Sequence, residues 1–369
     1  MAICRRDFLK AGAALSVAAA LPGTVARGET AFAPTPGAWR TFELVTRIEI
    51  AQPAGSVRVW VPVPAVDEPD WFRPMGSEWK TNAATAAIAR DPKYGAEMVH
   101  AQWPAPGDTA PVVEVTSRFA TRDRAVDLTA PGNPPKLTDD ERVLYTAPTA
   151  LIPTDGIVKE TSDKIVGGAD GQLAKARAIY AWIVDNTFRD PKVRGCGLGD
   201  IRAMLETGNL GGKCADLNAL YVGLARAAGL PARDVYGLRV AASRFGYKSL
   251  GPSTEVVTKA QHCRAEVYLD GFGWVPVDPA DVRKVVLEEP PGDLTLDDPK
   301  VVAARQTLFG SWEMNWLAYN TAHDLALPGA QGPAVGFLMY PQAEVAGVSL
   351  DCLDPDNFKY SITARELAA

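Results

Sequence analysis

Hydrophobic and polar positions keep one period in the first third of this chain and another in its middle. Between Trp39 and Leu128 they alternate. "TFELVTRIEI" does so, "SVRVWVPVP" places Val57, Val59, Val61 and Val63 on one face, and "VVEVTSRFA" repeats the pattern. Period-two alternation broken by turn residues predicts an antiparallel sheet or small sandwich over 39–130. No acid, base and thiol converge there, so this region is expected to be structural or to flank a substrate. The proline-rich "LTAPGNPPKLTDDERVLY", 128–145, reads as a domain boundary.

Beyond it the period becomes helical. "DGQLAKARAIYAWIVDNTF" sets Leu173, Ala176, Ile179, Tyr180 and Ile183 on one stripe, and a short segment, "GDIRAMLETG", follows. In "GNLGGKCADLNALYVGLARAAGLPARDVYGLRV" the stripe is Leu217, Leu220, Tyr221, Leu224 and Ala228, and Gly229 and Pro231 supply the stop. The spacing predicts a helix from Lys213 to Ala228 with Cys214 in its first turn. "RDVYGLRV" reads as a strand, and "HCRAEVYLDGFGWVPVDPAD" as two strands joined by a turn at Asp270–Gly273. A core over 145–285 follows, and 286–369 is expected to be an irregular extension packing on it. In that extension "LFGSWEMNWLAYN" reads as an apolar packing segment.

Composition narrows the class. The 369 residues are 47% hydrophobic and 22% charged, ordinary for a globular chain. The net charge of -6 and the absence of any basic run exclude a nucleic-acid footprint. The first residues, "MAICRRDFLKAGAALSVAAALPGTVA", pair Arg5 and Arg6 ahead of a mild apolar run too short for a comfortable membrane span. They read as a twin-arginine-type signal over 1–26, with periplasmic delivery and no stable membrane span after cleavage; an uncleaved anchor is the alternative. Export would leave Cys196, Cys214, Cys263 and Cys352 where disulfides are permitted. A Cys196–Cys263 bridge and free buried thiols are both open.

Cys214 carries the chemistry. Unsatisfied N–H groups at a helix start favour a thiolate, and Gly208, Gly211 and Gly212 let the chain turn into that start. The backbone N–H of Cys214 is positioned for a developing oxyanion. Of three histidines, His262 opens a strand, and Asp278 lies sixteen residues on, across the hairpin. Even spacing about the turn puts both on one face and nearly opposite, so that the carboxylate orients the imidazole. Cys263 is expected on the opposite face. His100 and His323 are read as structural. Asp216 and Asn218 are read as helix-surface or packing residues. The histidines lack metal-ligand spacing, so no metal or other cofactor is expected.

The blocks "GGKCADLNALYVGLARAAGLPARDVYGLRV" and "HCRAEVYLDGFGWVPVDPAD" resemble the transglutaminase-like superfamily of papain-fold cysteine enzymes over about residues 172–283. The resemblance implies an α+β fold in which a cysteine-bearing helix packs on an antiparallel sheet, here preceded by the β-rich region. It implies Cys214 as nucleophile, His262 as base and Asp278 as orienting acid, acting through a thioester. Many relatives carry an aromatic residue two positions after the histidine, where this chain has Arg264. Arg264 is expected either to bind a substrate carboxylate or to pair with Glu266 at the surface; Trp274 is expected in the core or the cleft wall, a candidate substrate contact. The expected partner is a peptide or protein substrate, envelope peptides among them, attacked hydrolytically. The alternatives are amine cross-linking and a non-enzymatic peptide-binding module. Oligomeric state is not encoded in any motif.

Overall fold

The computed structural model describes residues 31–51, 53–105 and 109–368. The expected signal over 1–26 lies outside the described residues. The fold is α+β, as the sequence implied, and is built on three antiparallel sheets.

Alternation along Arg40–Glu49 buries Phe42, Leu44 and Ile48. That strand pairs with Val112–Thr121 on one side and Tyr360–Leu367 on the other, and Phe72–Thr81 completes the sheet. A second sheet runs in the order Val348–Ser349, Gln342–Val345, Val57–Val63, Glu97–Trp103, Thr85–Arg90. The two sheets share an apolar cluster that holds Phe42, Val59, Val99 and Val115, together with Trp312 and Trp316.

The third sheet positions the chemistry. Its order is Gly273–Val277, Gln261–Leu269, Ala232–Arg239, Trp316–Asn320. Every residue of the two middle strands is buried, so this sheet is covered on both faces. On one face Cys263, Ala265, Val267 and Leu269 join the cluster around the helix Cys214–Ala227. Every residue of that helix is buried too, because it lies between the sheet and the helices Gly156–Val166, Gly171–Asn186 and Pro279–Glu288. On the other face Arg264 lies over the rings of Trp312 and Trp316.

The region 286–369 departs from the expected irregular extension. "WLAYN", Trp316–Asn320, is a buried edge strand of the third sheet, and the last strand closes the first sheet. The reason is the unpaired backbone edge of Arg40–Glu49, which no residue of 39–130 is placed to cover on that side. Tyr360, Ile362 and Ala364 alternate inward as that strand requires.

Ile362 is 1% exposed and belongs to the shared cluster, whereas Glu366, four residues further along the strand, forms a half-exposed pair with Arg40. Ile362→Ala is expected to cost about 2–5 kcal/mol in denaturant unfolding. Glu366→Gln should cost less than about 1 kcal/mol. Equal costs would show that the last strand is not part of the core.

Candidate active site

Helix Cys214–Ala227 begins on Cys214, with Lys213 as its N-cap. Asp216, in the first turn, fastens the helix start to the preceding loop. One of its carboxylate oxygens accepts from the backbone N–H groups of Leu198 and Gly199 at 3.0 and 2.9 Å, and the other from Lys213 at 2.9 Å. The loop packs so closely that a Cβ on Gly197, whose φ is +93°, would lie 1.9 Å from Asp216 Oδ2. Asp216 is therefore a buried fastening, not a helix-surface residue. The same loop brings Cys196 beside the helix, and its carbonyl accepts from Ala215 N–H at 2.9 Å.

The strand Gln261–Leu269 delivers His262. Ala265 pairs with Val277, so Asp278, one residue beyond, stands across from Arg264 and reaches His262 diagonally. His262 Nε2 lies 2.8 Å from Asp278 Oδ2, which leaves Nδ1 for the sulfur of Cys214. Asp278 is fully buried, and Pro279 starts a helix directly after it. Its carboxylate also accepts from Asp281 N–H at 3.0 Å and from Asn218 Nδ2 at 3.3 Å, and Arg264 Nε lies 3.5 Å away. Asn218 also donates to the Cys263 carbonyl at 2.9 Å, tying the helix to the strand and to Asp278 at once. The sequence did carry a signal for it: a polar residue one helical turn from Cys214, in a helix whose only charged residues are Asp216 and Arg226.

Further side chains surround this group. Asp281 pairs with Arg239 at 2.5 Å and approaches His262 Nε2 at 3.5 Å. His262, Asp278 and Asp281 offer ligand atoms within 4.8 Å of one another, the spacing of a cation site. Arg239 and Arg264 already stand against those carboxylates, so the donor set is that of an ion-paired cluster and does not suit a metal.

The electrostatics favour a thiolate beside an imidazolium. Hydrogen bonds from the thiols of Cys196 and Cys263, with a smaller contribution from His262, hold the Cys214 thiol well below the ordinary cysteine value against the opposing effect of burial. Burial and Arg239 work against protonation of His262, but Asp281 and Asp278 outweigh them and raise it. Burial and Asp281 push Asp278 up, while His262 and Arg264 hold it down. The two guanidiniums balance the two carboxylates, so the buried cluster around the thiol and imidazole carries no excess charge of its own.

Cys214, His262 and Asp278 lie together beside an open cleft of about 590 Å³ that both Cys214 and His262 line. Other expectations are corrected. Arg264 is 2% exposed, donates to the Glu313 carbonyl at 3.0 Å and lies over the adjoining rings of Trp312 and Trp316, out of reach of a substrate. Glu266 does not pair with it; that carboxylate is fully buried between Arg124 and Arg233. Trp274 packs against Tyr145, Tyr268 and Arg233, near the hairpin turn and away from the cleft lining. Cys263 does lie on the face of the strand opposite Arg264, as alternation implied, and because the helix covers that face its thiol still reaches Cys214. All four described cysteines are free, and Cys196 Sγ lies 3.2 Å from the Gln261 carbonyl oxygen. His100 stacks on Trp60, and His323 is buried beside Tyr236.

The surroundings match known proteins. A family model described as transglutaminase-like superfamily matches residues 159–279. A Haemophilus influenzae protein, described as uncharacterized, is 37% identical over 344 residues, covering 88% of this chain and 91% of that protein. The crystal structure of a Cytophaga hutchinsonii protein with the provisional description cysteine protease superposes with a TM-score of 0.56 at 14% identity. That superposition covers 91% of this chain and 93% of the other, a likeness of fold.

Two outcomes are expected. Because the Cys214 thiol is lowered, its thiolate persists as pH falls below the ordinary thiol range, while burial raises the thiol of Cys352. Alkylation by iodoacetamide between about pH 5 and pH 9, followed by mass spectrometry, should label Cys214 at acid pH and Cys352 only at the alkaline end. Parallel profiles would remove the activated thiol. Gly197→Ala should lower stability by about 1–3 kcal/mol and slow that labelling, through its positive φ and the displaced Asp216.

Proposed function

The chain belongs to the transglutaminase-like superfamily, and from that membership we propose a cysteine enzyme that cleaves peptide or carboxamide bonds through a thioester, with Cys214, His262 and Asp278 as its catalytic triad. One observation carries the reading: the activated sulfur of Cys214 faces an imidazole whose other nitrogen is held at 2.8 Å by a buried carboxylate, at the floor of an open cleft.

The Cys214 thiolate attacks the carbonyl carbon, and the carbonyl electrons move to oxygen, where the Cys214 backbone N–H donates. Ala215 N–H is already committed to the Cys196 carbonyl and takes no part. As the C–N bond breaks, imidazolium His262 gives its proton to the departing amine and leaves a thioester. Water then attacks the thioester, His262 takes a proton from it, and the C–S bond breaks. The acid product leaves, and His262 returns as imidazolium beside the thiolate. Asp278 holds the imidazole and stabilises its charged form without taking the proton. Water is the proposed acceptor because the cleft that Cys214 and His262 line is open to solvent.

The proposed location is the periplasm, on the strength of the paired Arg5 and Arg6 before an apolar run. Among the described residues no helix is long and apolar enough to cross a membrane.

With a panel of envelope peptides, Cys214→Ala should abolish turnover and Asp278→Asn should lower kcat by about 10²–10⁴. Product masses should show the gain of water. Incorporation of a labelled primary amine in place of water would convert the assignment to a cross-linking acyltransferase, and full turnover by Cys214→Ala would end it.

A further inference from the structure

The walls of the cleft over Cys214 carry one sign of charge. Arg189, Lys213, Arg239, Lys259 and Lys284 line it, and no aspartate or glutamate does. This is unexpected in a chain of net charge -6. The counter-charges stand behind or outside the lining. Asp281 occupies Arg239 from within the protein. Glu288 serves both Arg189 and, at 3.6 Å, Lys284. Asp356 pairs with Lys259 at 3.5 Å at the exposed rim. Among the described residues no carboxylate pairs with the ammonium of Lys213, the neighbour of the nucleophile. One carboxylate shared by two cations and one cation with none leave a positive excess next to the sulfur.

Lys284 shows the same deficit in its own titration. Its side chain is 19% exposed, and burial first, then Arg239, hold its ammonium below the ordinary lysine value. An anion in the cleft would offset both effects. Low-dielectric walls lined by one sign of charge concentrate ligands of the other sign.

We propose that this cleft selects an anionic acyl donor: a peptide that carries a carboxylate beside the reacting carboxamide, received by Lys213 and Lys284. The proposal deepens the thioester reading and rests on it, since it concerns which carbonyl is brought to Cys214. Neither lysine takes part in bond making, so their effect falls on the capture of charged ligands.

The test uses two small alkylating reagents that differ in a single charge. Iodoacetate and iodoacetamide both react by attack of the thiolate on carbon with loss of iodide, and iodoacetate carries a carboxylate one bond from the reacting centre. Rates at Cys214 of the full chain are followed by mass spectrometry, and each is divided by the rate with glutathione. In the wild type at low salt the ratio of iodoacetate to iodoacetamide should exceed that of glutathione by about tenfold or more. It should fall about fivefold or more in Lys213→Gln/Lys284→Gln and in high salt, and fall further in Lys213→Glu. His262 is unchanged in all of the variants, so its charge cancels when each variant is compared with the wild type at the same salt, and the lysine-dependent fall is the deciding readout. Lys259→Gln, at the exposed rim, provides a milder variant should the double substitution not fold, with a smaller fall expected.

A ratio equal to that of glutathione, or one that no lysine variant and no salt moves, overturns the anion preference and leaves the thiol chemistry standing. Failure of both reagents to label Cys214 overturns the thioester reading, and this proposal with it.

Discussion

A fully buried carboxylate at the junction of a strand and a helix governs this site. Removing a carboxylate from water costs several kcal/mol unless its lone pairs are met. Asp278 is met by an imidazole, a backbone N–H, the amide of Asn218 and, at slightly longer range, the guanidinium of Arg264. The partners come from the strand Gln261–Leu269 and from the helices Pro279–Glu288 and Cys214–Ala227, so satisfying the carboxylate fixes these three elements relative to one another. The register of Gln261–Leu269 on Gly273–Val277 brings Asp278 to the sheet's end, and the helix that follows keeps its side chain turned inward. Through Asn218 the same carboxylate reaches the helix whose first residue is Cys214.

The charges inside and outside the site obey different rules. Below the cleft, Arg239 and Arg264 offset Asp278 and Asp281, and a neutral sum is what a low-dielectric interior tolerates. Facing the cleft the balance is broken in favour of the cations. Solvent is present there, and an incoming ligand can supply the missing charge. Arg264 belongs to the first group. Its side chain lies over the adjoining rings of Trp312 and Trp316 and brings a positive charge to 3.5 Å from Asp278.

Cys214 is nearly enclosed by protein yet lines an open cavity, and the loop ahead of the helix makes both possible. Gly197 and Gly199 adopt positive φ, which lets two successive N–H groups turn onto Asp216 and keeps side-chain bulk away from the helix start. Cys196 rides on that loop and Cys263 on the strand, so the Cys214 thiol lies between two other thiols.

Local pattern decided a good deal of this molecule. The helix start at Cys214, the hairpin that carries His262 and Asp278, and the alternating strands of 39–130 are consequences of side-chain period and turn chemistry, which act over a few residues. Their likeness to a known family joined them into one site. Long-range pairing decided the rest. "WLAYN" and the strand at Tyr360–Leu367 became parts of two sheets because distant strands had open edges, and nothing near them in the sequence records those edges. Arg264 could be placed on a face by alternation, but whether that face met solvent or Trp312 and Trp316 depended on a segment some fifty residues away. Asn218, Asp216 and the lysines of the cleft acquired their roles in the same manner. A polar side chain's function is set by what faces it, and what faces it is a property of the folded chain.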